Sequence, residues 1–298
     1  MNNWYQMRER GAGKWRIELL WLIYRVFGIN ILKCIVSVVS GTIVLFAPRV
    51  RSVSKQYRKI LNEYEQLHDM KQSSFSTMGH VVNFACSVVD KMSAICDTKT
   101  PLLFDVHQDS DWKKLEKILN DGTGVFFICS HLGNIETLSA MPAGQIKRMH
   151  AFMNVGQNHI FRDFMTRHAK YTNTVIHPTE NIDVAMAGDM YDALAHGELV
   201  LMAGDRVSPN VPTKTICAKM FNHDCDLPLG VFRFAKACDF PVFAIVNVKT
   251  AHNKYKIFVK QLDTSSTDLM AQIYIKFIES MTLKYPKQWF NFFDFFKA

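Results

Sequence analysis

Residues 122–136 read Gly122-Thr123-Gly124-Val125-Phe126-Phe127-Ile128-Cys129-Ser130-His131-Leu132-Gly133-Asn134-Ile135-Glu136. The apolar run 125–129 predicts a strand. It follows a helix expected over 111–120, whose Trp112, Leu115, Ile118 and Leu119 share one face and which Asp121-Gly122 closes. Outward from this pair the pattern alternates. Strands are expected at 149–155, 174–177, 199–203, 215–220, 242–248 and 255–261, and helices at 135–141, 159–171, 182–195, 231–237 and 268–284. Such βα alternation predicts an α/β fold, a mixed and largely parallel sheet flanked by helices.

The N-terminal part has a different character. Residues 1–60 carry eleven Lys and Arg against Glu9 and Glu18, a net charge of +9, so the chain's formal +8 arises there and the remaining residues are close to neutral. The same segment is apolar. Two helices are expected over 15–47, the first with Trp15, Leu19, Leu20, Leu22, Ile23 and Val26, the second running from Ile31 to the stop at Pro48. Basic charge combined with apolar surface suits an anionic lipid layer better than a nucleic-acid groove, so a membrane surface is the expected partner and nucleic acid is not. The most apolar stretch, 34–47, has 14 residues, fewer than the roughly 20 of a spanning helix. An embedded or re-entrant anchor is therefore expected ahead of a span, and no cleavage pattern marks a secretory signal. Three regions follow: anchor helices at 1–50, a helical bridge at 51–100 with Tyr57, Ile60, Leu61 and Tyr64 at helix spacing, and an α/β domain at 101–298.

His131 stands where a strand gives way to a helix, the place where reactive groups gather in α/β sheets. Gly133 permits a tight turn, Asn134 suits a helix N-cap, and Glu136 falls in the first turn, where the helix dipole favours its ionised form. An anionic Glu136 beside a neutral imidazole is suited to general-base chemistry. On spacing alone, an ordinary strand-end histidine and an N-terminal helix acid are the favoured reading.

The block Ser130-His131-Leu132-Gly133-Asn134-Ile135-Glu136 resembles the first signature block of the lysophospholipid and lipid A late acyltransferase superfamily, a His and an acid separated by four residues. The similarity extends to the apolar N-terminal anchor, to Ala203-Gly204-Asp205-Arg206, to Leu227-Pro228-Leu229-Gly230 and to the strand from Pro241. Trp, Arg and Gly around 10–15 and the ending Pro286-Lys287-Gln288-Trp289-Phe290-Asn291-Phe292-Phe293 look like a subgroup of predicted acyltransferases of aryl-polyene-type gene clusters. The resemblance implies His131 as base and Glu136 as its orienting partner. It implies direct acyl transfer from an acyl-carrier-protein or coenzyme A thioester to a lipid or glycolipid acceptor, with Ser130 no nucleophile and no cofactor needed. It places the protein on the cytoplasmic face of a bacterial inner membrane. An N-acyltransferase making acyl-amino-acid lipids and a non-catalytic membrane adaptor are the alternatives.

Further site residues are expected around this pair. Arg206, after the strand 199–203, is a candidate to hold a phosphate or a developing oxyanion, with a surface ion pair to Asp205 as its plain alternative. Gly204 permits close backbone approach or a simple turn. Asn134 belongs to the signature block. Asn154, Asn158 and Arg162 fall where the family has its second block and depart from the Arg-containing pattern of glycerol-phosphate acyltransferases. Pro228 shapes a turn or lines the cleft. His223, Asp224, Cys225 and Asp226 lack metal-ligand spacing and are expected as a solvated loop. Seven cysteines (Cys34, Cys86, Cys96, Cys129, Cys217, Cys225, Cys238) without a CxxC pair are expected as reduced, buried thiols, and the Phe-rich ending as core.

Overall fold

The structure is a computed structural model that describes residues 14–96, 102–141, 147–153, 163–164, 167–168, 173–179, 182–207 and 214–297. Asn154, Asn158 and Arg162, and most of the helix expected over 159–171, lie outside the described residues.

Three helices open the chain: α1 (Lys14–Leu45), α2 (Pro48–Leu67) and α3 (Thr77–Cys96). α1 is two helices joined at Gly28, whose φ of 81° and ψ of 175° only glycine adopts readily. This matches the two apolar helices expected, and α1 is long and apolar enough to cross a membrane. Then follow β1 (Leu103–Val106), α4 (Ser110–Asn120), β2 (Val125–Gly133), a 3-10 helix (Ile135–Ala140), β3 (Met149–Met153) and β4 (Thr174–Pro178). After these come α5 (Val184–Ala195), β5 (Leu199–Ala203), β6 (Thr215–Met220), β7 (His223–Pro228), α6 (Leu229–Ala237), β8 (Val242–Ala251), β9 (Lys254–Gln261) and α7 (Thr267–Lys284).

Among the described residues, seven strands form one sheet in the order β1-β9-β8-β2-β5-β3-β4. All neighbours are parallel except the β8–β9 pair, which is the mixed, largely parallel α/β sheet expected. β2 is apolar at successive positions because both of its faces are covered. Phe126 and Ile128 pack with Phe232 of α6 and Tyr274 of α7, while Val125, Phe127 and Cys129 pack on the other face with Leu115 of α4 and Leu138 of the 3-10 helix.

Two expectations need correction. Residues 223–226 are not a solvated loop but part of β7, which pairs antiparallel with β6. Phe221 and Asn222 both take left-handed φ, 52° and 63°, as a tight two-residue hairpin turn requires. Period-two alternation then turns Cys225 and Leu227 inward and leaves Asp224 and Asp226 to pair with Lys219 and Lys297. The thiols are all free, but Cys34 and Cys217 are exposed and Cys86 is half-buried; only the other four are in the interior.

The C-terminal segment is core. Trp289, Phe290, Phe295 and Phe296 are buried, and short bridges pair Leu132 with Trp289 and Cys225 with Phe296.

Candidate active site

β2 and β5 lie side by side, with Cys129 opposite Ala203. The chain leaving β2 goes on to β3, beyond β5, whereas the chain leaving β5 goes on to the hairpin and to β8, on the other side of β2. Adjacent parallel strands whose connections leave in opposite directions mark the carboxyl-end position where α/β sheets bind ligands. His131, in β2, and Asp205, two residues after β5, both stand at this edge.

These two residues are joined twice. The backbone N–H of His131 donates to Oδ2 of Asp205 at 2.7 Å, and its Nδ1 is 2.8 Å from Oδ1. Asp205 is 1% exposed, while the imidazole is 35% exposed. Burial pushes the Asp205 carboxyl up, but the charge and hydrogen bond of His131, with Arg206 beside it, hold it below the ordinary carboxylate range. An ionised Asp205 that accepts at Oδ1 makes Nδ1 the protonated nitrogen and leaves Nε2 basic.

Glu136 is also at the site but has a different partner. Its Oε1 accepts from Nζ of Lys91, on α3, at 2.5 Å. Burial raises the Glu136 carboxyl, yet the Lys91 charge and hydrogen bond, a backbone bond and the charge of His131 bring it below its usual value. The ionised state expected for Glu136 is thus favoured, but mainly by a lysine and not by an α-helix dipole, since the helix here is a single 3-10 stretch. The hydrogen bond that orients His131, expected from Glu136, comes instead from Asp205.

The intervening residues are fixed from three sides. Gly133 has φ of 78°, and a Cβ there would lie 2.1 Å from the carbonyl oxygen of Asn247 on β8. Only glycine fits. Asn134 occupies the N-cap position without capping by its side chain, which donates to the Ser87 carbonyl of α3 at 2.8 Å. Asn247 Nδ2 donates to the Asn134 carbonyl at 3.1 Å and to Oγ1 of Thr137 at 2.9 Å. Ser130 is buried, and its Oγ accepts from the backbone of Leu132.

Arg206 faces the C-terminal segment. Nη2 donates to the Phe290 carbonyl at 2.8 Å, Nε to Oδ1 of Asn291 at 3.3 Å, and the guanidinium lies 5.2 Å over the Phe293 ring. Burial lowers its pKa to about 10, against the charges of Asp205 and Glu136, so it stays protonated at neutral pH. Phe290 in turn donates its backbone N–H to the carbonyl of His131 at 2.9 Å. Gly204 is close-packed against the core, where a Cβ would lie 2.6 Å from Cγ2 of Ile128 and 3.2 Å from Tyr274. Pro228 ends β7 at the N-cap of α6 and is buried.

A second titratable chain links His177, His150 and Glu198, at 2.9 Å and 2.6 Å. His150 pairs in register with Val200, and Val200 with Phe126, five residues before His131. At about 3.3 Å per residue this is about 16 Å back from the carboxyl edge, towards the amino ends of the strands. Among the described residues no group of three His, Cys, Asp or Glu is arranged to hold a metal ion.

Asp205 is the residue that sequence reading passed over. It stood in the quoted Ala203-Gly204-Asp205-Arg206, at the end of a strand like His131, but only the adjacency of β2 and β5 reveals its partner.

A half-exposed imidazole is thus fixed by a buried carboxylate at the carboxyl edge of parallel strands, an arrangement able to do general-base chemistry. A sequence model of the family described as bacterial lipid A biosynthesis acyltransferase matches residues 14–298, and the chain belongs to that family. It is an acyltransferase. A comparison with curated proteins found no match.

Proposed function

We propose that this enzyme transfers a fatty-acyl group from an acyl-carrier-protein or coenzyme A thioester to a hydroxyl of a lipid or glycolipid acceptor, with His131 as general base. The observation that carries this reading is the pair of bonds from Asp205 to His131, which engages Nδ1 of a partly exposed imidazole and leaves Nε2 as the nitrogen available to a substrate. Nε2 takes the hydroxyl proton as the acceptor oxygen attacks the thioester carbonyl. The tetrahedral intermediate collapses, the C–S bond breaks, and the imidazolium returns its proton to the departing thiolate. Asp205 orients the imidazole and stabilises its charged form. Glu136, held ionised by Lys91, adds a second negative charge to the same end.

The strongly basic N-terminal region favours an acidic acyl carrier protein as donor and an anionic membrane surface as the place of work. Both donor classes are cytoplasmic thioesters, which supports the cytoplasmic face of a bacterial inner membrane as the site of the reaction. Arg206 is proposed to act through the C-terminal segment it holds and not as an anion clamp.

Transfer of labelled acyl groups from acyl carrier protein to membrane lipid tests the reading. His131→Ala, folded by circular dichroism, is expected to lose activity by about 10³-fold. Full transfer by that variant would sink the proposal.

A further inference from the structure

The outward side of α1 is largely apolar, interrupted by Arg16, Arg25, Asn30 and Thr42. Trp15, Leu19, Leu22, Val26 and Phe27 are exposed before the break at Gly28, and Ile31, Ile35, Val38, Val39, Ile43, Leu45 and Phe46 after it. Between Arg25 and Arg49 the sequence has one charged residue, Lys33. It turns inward and pairs with Asp90 of α3.

The inward side belongs to the catalytic body along its whole length. Tyr24 bonds Ser93 at 3.0 Å, Ser37 meets Sγ of Cys86 at 3.5 Å, and Gly41 faces Met78, so α3 runs antiparallel beside both halves of α1. Asp90, which holds Lys33, also accepts from Lys249 of β8 at 2.6 Å and from Tyr255 of β9 at 2.9 Å. The middle of α1 is therefore tied through one buried carboxylate to the central sheet. The opposite side of α3 bonds Asn134 and Glu136 at the active site.

A helix crossing the bilayer here would draw Asp90, Lys249 and the strands that carry it into hydrocarbon, a prohibitive placement. Each half of α1 is also short, about 21 Å before the break and about 25 Å after it at 1.5 Å per residue, against a hydrocarbon core of about 30 Å. We infer that α1 lies in one leaflet, its bent outer face immersed among acyl chains and its inner face on the catalytic body, as a monotopic anchor that does not cross. The occupant of this face is the lipid of an anionic leaflet. Arg16 and Arg25 are exposed on α1 and Lys55 and Lys59 on α2, while Arg49 pairs with Asp294 and Arg51 bonds the Val44 and Leu45 carbonyls, so basic charge flanks the apolar stretch from Ile31 to Phe46 and can meet headgroup phosphates on either side of it. This inference rests on the membrane association in the proposed function and fixes its geometry.

The full chain, tagged at both ends and held in sealed inverted membrane vesicles, is treated with external protease. Both tags are expected to be lost together; protection of one tag alone would overturn the inference. In a second measurement the purified protein is sedimented with vesicles of phosphatidylglycerol and phosphatidylethanolamine. Val38→Glu combined with Ile43→Glu is expected to weaken binding at least about tenfold. Val184→Glu, at an apolar residue 90% exposed on α5, is expected to leave it unchanged. Wild-type binding by the double variant, or a lipid-free dimer that it dissociates, would also overturn the inference. Both measurements are repeated on His131→Ala, so the outcome does not depend on the catalytic reading.

Discussion

Asp205 grips His131 at two atoms, its Oδ2 on the backbone N–H and its Oδ1 on Nδ1, and so sets both the position and the tautomer of the imidazole. Asp205→Asn keeps the size of this contact but removes the charge that stabilises an imidazolium. Its kcat is expected to fall about 10²- to 10⁴-fold with little change in KM. Steady-state kinetics on protein of unchanged thermal stability decide it; a KM effect alone would assign Asp205 to substrate binding.

The Glu136 carboxylate depends on Lys91. Its pKa in the folded protein is depressed, so the ion pair contributes above the ordinary carboxylate range of about 4.3 and is lost as pH falls through the depressed value. Lys91→Met removes the main compensation for burial, and the Glu136 pKa rises. The acid limb of kcat/KM is expected to move to higher pH in this variant. A limb that stays in place would mean Glu136 carries no charge needed for the reaction.

His80 provides a pH dependence of stability away from the chemistry. It is fully buried between Ser54, 3.1 Å from Nδ1, and the Trp289 carbonyl, 2.9 Å from Nε2, and burial lowers its pKa to about 4. With a folded pKa below the unfolded value of about 6.5, its contribution is intact above pH 6.5 and is lost as pH falls towards 4, by about 3 kcal/mol in all. Denaturant melts at a series of pH values should show this slope in the wild type and its absence in His80→Gln.

Arg206 separates two roles by kinetics. Arg206→Lys loses the forked grip on Phe290 and Asn291. The expected result is a roughly tenfold fall in kcat, unchanged KM for an anionic acceptor, and faster amide exchange at Phe290, whose N–H caps His131. A raised KM with normal exchange would restore Arg206 as an anion ligand.

Local pattern carried much of the fold. β5 and β6 have the bounds their apolar runs indicate, and the break in α1 was visible as two apolar segments, because burial periodicity and helix stops are properties of neighbouring residues. β1 was missed because it has only four residues, two of them exposed, and gains its order from pairing with β9, far away in sequence. β7 was missed because two aspartates and a histidine outweighed the alternation of Cys225 and Leu227. At the site, strand and signature located His131 and Glu136. The partners Asp205 and Lys91 come from β5 and α3, and a single chain read in order holds no signal for such meetings.

Pro286–Gln288 and the residues after it are stitched to the helical bridge and to the catalytic loop at once. Tyr57 and Asn83 bond the carbonyls of Pro286 and Lys287, and Phe290 bonds that of His131. This segment follows every helix and strand of the sheet in the chain. The same short stretch of main chain therefore joins α2, α3 and the His131 carbonyl, so a shift of either helix is relayed to the end of β2 as a pull on the residue that caps His131.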